Sequence, residues 1–272
     1  MPVSPPRIPM PVVFVGHGTP FNALAPNRWN EGFAAIAAQI PKPRAILAIA
    51  AHWFVDGTLL TASAHPKTIH DFYGFPQDLY DITYPAPGHV DLAGQIRDLL
   101  GDDQSALSAD WGLDHGTWSV LRWMYPAADI PVVQLSMDRH ISLAAHLALG
   151  ESLNHLRREG ILILASGNTV HNLSDAIGRR GAGESATQTP LWAEEFDAAV
   201  ARAVSEQDEK ALLKLWPDSP YGRLAHPTVE HFLPLLYAQG AAEKEDQVRF
   251  VNEGFDYGSL GMRCIVWDSV TD

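Results

Sequence analysis

Val12-Val13-Phe14-Val15-Gly16-His17-Gly18-Thr19-Pro20 decides the fold. Four consecutive apolar residues, three of them valine, read as a short strand covered on both faces. Glycine and proline then stop the strand, and a histidine stands at its end. The same grammar recurs outward along the chain. Residues 45–51, 132–135 and 161–165 are further short apolar runs, and 248–252 and 263–267 are two late strand candidates.

Helical patterns fill the intervals. Residues 142–158 carry Leu143, Leu147, Leu153 and Leu156 at helical spacing, with Ser142 as N-cap and Gly160 as stop. Residues 190–204 follow Thr189 as cap, with Pro190 in first position. Residues 228–239 have Phe232, Leu235, Leu236 and Tyr237 apolar, but Pro234 inside the pattern means a kink or a later start. Strand–helix alternation predicts an α/β fold whose central, mainly parallel or mixed sheet is flanked by helices. No repeat or linker interrupts it, so residues 1–272 read as a single domain. The polar stretch 178–188 is the candidate mobile loop.

Composition removes several function classes. The chain is 46% apolar and 19% charged, a globular composition. Its net charge of −13 argues against a nucleic-acid partner, which requires Lys and Arg to neutralise phosphates. No run approaches the ~20 apolar residues of a membrane span. Residues 1–11 have no apolar core of a signal peptide. A single cysteine, Cys264, forbids an intrachain disulfide and any Cys-rich zinc module, which fits a reducing, cytoplasmic setting. Against this plain background stand 12 histidines.

Three of those histidines follow predicted strands: His17 after 12–15, His52 after 45–51, and His171 shortly after 161–165. One histidine at a strand end is usually a hydrogen-bonded structural residue. Three at equivalent places on a parallel sheet meet at its carboxyl edge, where α/β proteins collect function. Imidazole suits Zn, Fe, Cu or Ni and takes up and releases protons near neutral pH. His115 lies beside Asp114 and near Asp110, either of which is placed to orient its ring; a helix N-cap is the competing role for Asp114. His231 follows Glu230 at the start of the third helical pattern. His70 stands in Thr68-Ile69-His70-Asp71-Phe72-Tyr73-Gly74-Phe75-Pro76, a stretch that either lines an aromatic-substrate pocket or is a loop pinned by Phe72 and Phe75.

Gly16-His17-Gly18-Thr19-Pro20, Ala51-His52-Trp53, the His70 segment, Tyr84-Pro85-Ala86-Pro87-Gly88, Gly112-Leu113-Asp114-His115-Gly116, Val133-Gln134-Leu135-Ser136, Ala165-Ser166-Gly167-Asn168 with His171-Asn172-Leu173, and Glu230-His231-Phe232-Leu233-Pro234-Leu235 occur in that order. Together they resemble the class III extradiol ring-cleavage dioxygenases, and most closely the 4,5-DOPA extradiol dioxygenase branch. The resemblance spans nearly the whole chain. It implies a metal held by His17 and His52, His171 as acid–base catalyst or fourth ligand, and His115 as a second pocket histidine. His70 and Asn168 become candidates for substrate contact. The wider class completes its ligand set with a carboxylate. Here Glu230 and His231 stand side by side; on a helix they point about 100° apart, so one faces the metal. The closer branch implies His231. The implied metal is Fe(II), with zinc as an alternative occupant. The implied partners are a small catechol and O2, and the implied product is a ring-opened semialdehyde. A zinc-dependent hydrolase acting through a metal-bound water is the competing reading of the same histidines. A serine hydrolase is disfavoured because no Gly-x-Ser-x-Gly is present.

Overall fold

The computed structural model describes residues 8–101, 104–181 and 188–270. Its strands are β1 (Val12–Gly16), β2 (Ala45–Val55), β3 (Thr58–Thr61), β4 (Ser105–Ser108), β5 (Val132–Asp138), β6 (Ile161–Gly167), β7 (Gln247–Val251), β8 (Phe255–Asp256), β9 (Leu260–Gly261) and β10 (Cys264–Asp268). Eight of them form one sheet in the order β4-β3-β5-β2-β6-β1-β10-β7, while β8 and β9 form a separate small hairpin. The centre, β5-β2-β6-β1, is parallel throughout. β3 joins β5 antiparallel at one side, and β10 and β7 extend the other side antiparallel. The predicted α/β architecture is therefore present in its mixed form.

The valine-rich strands are buried because helices cover both faces. Alternate residues of β1 go to opposite sides. Val12 and Phe14 join a core with Leu47, Ile49 and Ile163 beneath the helices Leu143–Leu153, Leu191–Ser205 and Leu233–Ala241. Val13 and Val15 join Ile46, Leu162 and Leu164 beneath Arg28–Gln39 and His115–Met124. Each fully buried Val, Leu or Ile contributes about 1.5–3 kcal/mol. That burial fixes the strand ends that carry the site.

The helix boundaries differ from expectation for local reasons. Ser142 caps its helix as read, but the α-helix ends at Leu153 and a 3-10 segment, Asn154–Glu159, continues to Gly160. Pro190, not Thr189, occupies the cap of Leu191–Ser205. The third pattern starts only at Leu233, with Pro234 in its first turn, so Glu230 and His231 lie in the turn before the helix. Of the polar stretch 178–188, residues 178–181 end the helix Leu173–Gly181, and residues 182–187 lie outside the described residues.

Candidate metal centre

Five histidines meet at the carboxyl edge of the parallel strands. His17 follows β1 directly, and its backbone N–H donates to the Gly167 carbonyl at the end of neighbouring β6 (3.0 Å). His52 is not beyond its strand, as the sequence suggests, but within it. The β2–β5 register shifts between Ile49 and Phe54, and His52 sits in that irregular stretch. Gly116 makes room for it: a Cβ there would stand 3.0 Å from His52 Cδ2. His115 opens the helix His115–Met124. The His231 segment lies on the end of β6, where its carbonyl accepts from the Asn168 N–H (3.0 Å). Any side chain at Gly167 would collide with that carbonyl, at 2.3 Å.

The hydrogen bonds fix which nitrogen of each ring is bare. Ser166 Oγ donates its single proton to the Gly116 carbonyl (2.6 Å), so it accepts from His17 Nδ1–H (2.9 Å). Asp71 Oδ2 lies 2.9 Å from His115 Nδ1 and 3.2 Å from His52 Nδ1. Its Oδ1 accepts from the His115 backbone N–H (2.8 Å). Burial pushes the Asp71 carboxyl up, but the His115 hydrogen bond and the fields of His115 and His52 hold it at about 2. An ionised carboxylate only accepts, so His115 Nδ1 carries a proton; the same negative charge beside His52 Nδ1 favours a proton there too, which leaves Nε2 bare in the neutral rings.

These bare nitrogens converge. Ring nitrogens of His17, His52 and His115 lie within 4.8 Å of one another. His17 Nε2 and His52 Nε2 face each other at 3.3 Å with no proton left to share. Two opposed lone pairs repel until a Lewis acid or a proton donor stands between them. Burial, and then the neighbouring imidazoles, hold His17 well below the ordinary histidine value, so the ring is neutral and ready to coordinate. Burial and His115 do the same for His52, against the opposing pull of Asp71.

His231 adds a second sign of a missing partner. Its ring centroid lies 5.3 Å from that of His17 and 5.1 Å from that of His52. Both of its nitrogens are buried without a hydrogen bond, Nδ1 lying 3.4 Å from Glu230 Oε1. Burial first, then His171, His52 and His17, lower its pKa well below the ordinary value. Its neighbour Glu230 accepts from the Thr228 hydroxyl (2.7 Å) and keeps 24% of its side chain exposed, against 7% for His231. His171 stacks on His231 with centroids 3.5 Å apart and planes 3° from parallel. Burial, then His226 and His115, hold His171 at about 3, so it is also neutral. An all-imidazole set with unsatisfied nitrogens and no thiolate fits a metal that imidazole suits: zinc, iron, copper or nickel.

All five histidines line one cavity of about 740 Å³, within the usual range for small-molecule sites. Two other candidates do not. His70 Nε2 is engaged by the Ile82 carbonyl (3.0 Å), and the ring packs on Trp118; of that segment, Asp71 to Phe75 line the cavity instead. Asn168 is fully buried behind the cluster, where its Nδ2 donates to the Gly261 carbonyl (2.9 Å). Both support the site from behind. The carboxylate that orients His115 also differs from expectation. Asp114 caps the helix by accepting from the Thr117 N–H (3.0 Å), and Asp71 holds the ring. Burial and the charge of Asp71 raise Asp114 to about 7 against the pull of His115, Gln134 and Thr117.

The fold and this centre suit a metal-dependent enzyme, and the chain belongs to the LigB family, the catalytic LigB subunit of aromatic ring-opening dioxygenase, whose model matches residues 12–264. Its relatives narrow the class. It is similar to a 4,5-DOPA dioxygenase extradiol of Escherichia coli (strain K12), with 43% identity over 259 residues and 94% of each chain covered. A 4,5-DOPA dioxygenase extradiol of Beta vulgaris is 37% identical over 253 residues, covering 91% of this chain and 92% of that one. The crystal structure of uncharacterized protein JW3007 from Escherichia coli K12 matches with a TM-score of 0.81 and 38% identity, over 94% of this chain and 99% of that one. Nothing among these relatives supports the hydrolase reading. No helix among the described residues is long and apolar enough to cross a membrane.

Proposed function

We propose that this chain opens a DOPA-like catechol by extradiol cleavage, using Fe(II) held by His17, His52 and His231. The observation that carries the reading is the pair of Nε2 atoms, 3.3 Å apart, beside the nitrogens of His231 that make no hydrogen bond. His231 is preferred to His115 as third ligand because neither of its buried nitrogens makes a hydrogen bond, and each such nitrogen costs about 1–3 kcal/mol until something binds it. Zinc suits the same donors but has no redox chemistry, so a zinc-loaded chain is a resting form. When bound, iron lets electrons pass from a chelated catechol to dioxygen.

The chain's own residues do the rest. Neutral His171 accepts a proton from a catechol hydroxyl as the substrate binds, and later returns a proton to the opening ring. His115, whose Nδ1–H is tied to Asp71, presents Nε2 to the substrate oxygens. Phe72 and Phe75 pack in the cavity wall and keep water from the ring. One ring carbon–carbon bond breaks beside a hydroxyl-bearing carbon. That carbon becomes a carboxylate and its neighbour an aldehyde, and each takes one atom of O2. The substrate class is supported by the relatives named as 4,5-DOPA dioxygenases. Cys264, buried and free, accords with the cytoplasm.

The test is anaerobic loading with Fe(II), then an oxygen electrode and a panel of catechols including DOPA. Equimolar consumption of O2 and catechol with a yellow ring-opened product is expected. Failure with every catechol, in protein shown to hold iron, would overturn the reading.

A further inference from the structure

Ring cleavage requires the catechol at the histidines but leaves open what its side chain carries. An aromatic wall leads from the metal centre to the mouth of the cavity. Phe72 meets His115 edge-on at 5.4 Å, Phe75 follows at 5.1 Å, and Phe21 at 4.9 Å. At the end of this wall stands Arg180, in the last turn of Leu173–Gly181. Its guanidinium lies 5.3 Å from the Phe21 ring and 5.6 Å from that of Tyr257. Tyr257 reaches that place from the turn between β8 and β9 with a φ of 47°, a left-handed conformation that bulky residues rarely take.

Arg180 is the one Lys or Arg among the described residues lining the cavity. Its neighbour Arg179 is tied to Asp175 at 2.6 Å. Arg180 has no carboxylate within ion-pair distance among the described residues; Asp256 feels its field without touching it. Rings on the guanidinium hold its plane while its edge keeps its N–H donors available. Those edge donors match a carboxylate in fork geometry.

Resting on the catechol reading above, we propose that Arg180 determines specificity by binding a carboxylate at the end of the substrate's side chain. The favoured substrates are then catechols with an anionic tail, such as 3,4-dihydroxyphenylpropanoate or DOPA, over 4-methylcatechol and dopamine. The discriminating quantity is the ratio of kcat/KM for 3,4-dihydroxyphenylpropanoate to that for 4-methylcatechol, measured in the wild type and in Arg180→Met and Arg180→Lys. A hydrogen-bonded charge pair implies that Arg180→Met lowers this ratio about 10- to 100-fold, through KM, and that Arg180→Lys restores part of it. An unchanged ratio in Arg180→Met would overturn the proposal. Anaerobic calorimetry of the same two ligands separates this inference from the reaction. If no catechol consumes O2, the ring-cleavage reading fails, yet a matching loss of affinity for the carboxylated ligand alone still supports Arg180, and equal affinities for both proteins overturn it.

Discussion

Arg157 and His231 are both buried in the fold, and their polar atoms are treated in opposite ways. Arg157 donates to the carbonyls of Met10 (2.7 Å) and Ala241 (3.1 Å), to Ser269 Oγ (2.8 Å) and to Asp246 Oδ1 (2.9 Å). Arg263 is held similarly by Asp197 (2.6 Å) and Glu253 (2.5 Å). These cations tie segments together, and their hydrogen bonds are made within the chain. Neither ring nitrogen of His231 makes a hydrogen bond, Nδ1 lying 3.4 Å from Glu230 Oε1, and His17 and His52 oppose lone pairs. Buried polar groups in folded proteins are normally satisfied. A cluster that is not satisfied marks the place where the chain awaits something from outside.

The contrast can be broken at either end. The largest effect belongs to His17→Ala and His52→Ala, each expected to abolish iron retention and O2 uptake together, as read by metal analysis and an oxygen electrode. Full metal occupancy in either variant would remove that residue from the ligand set. Next, His231→Ala should lose the metal while Glu230→Ala keeps most of it; the reverse would make the carboxylate the third ligand. At the structural end, Arg157→Met leaves Asp246 buried without its charge partner, and urea unfolding should show a loss of about 3–5 kcal/mol. A loss under about 1 kcal/mol would show that the satisfied pair does not hold the fold. His171→Gln should keep its iron while turnover falls about 10²–10⁴-fold, the range for a lost proton-transfer group. Lost iron would make it a ligand instead.

The smallest effect concerns a structural histidine. Burial holds His146 at about 4, below its ordinary 6.5, against the opposing field of Asp138, while its Nδ1 meets the Tyr237 hydroxyl at 3.0 Å. The folded state resists protonation that the unfolded chain accepts. Stability from this residue is therefore complete above pH 6.5 and is lost as pH falls toward 4. His146→Phe should flatten that part of the acid-unfolding curve; an unchanged curve would place the acid sensitivity elsewhere.

Much of this was legible in the sequence, because strands and their end residues are local. The run at 12–15 becomes β1, that at 161–165 becomes β6, and His17 and His171 follow them into one cavity. His115 and His231 reached the same cavity through motif resemblance rather than periodicity. Asp71 was missed as the orienting carboxylate because it is 44 residues from His115, a distance that only packing closes. Its clue was local all the same. His70 and Asp71 are adjacent, and while His70 meets the Ile82 carbonyl, Asp71 meets His115. Arg180 lies in the polar stretch 178–188, which reads as a loop, and nothing local marks it, since Phe21 and Tyr257 arrive from opposite ends of the chain. The mixed sheet edges were equally hidden, since strand direction in β3 and β10 depends on partners far along the chain.

The central claim is that imidazoles at the carboxyl edge of the sheet hold the metal that meets the catechol. X-ray absorption on the iron-loaded chain, compared with His17→Ala, tests it most directly. The account predicts equimolar iron with strong imidazole scattering in the wild type, and a change in the iron environment when catechol is added without oxygen. Iron bound with no imidazole scattering, or an environment indifferent to both His17→Ala and catechol, would contradict it.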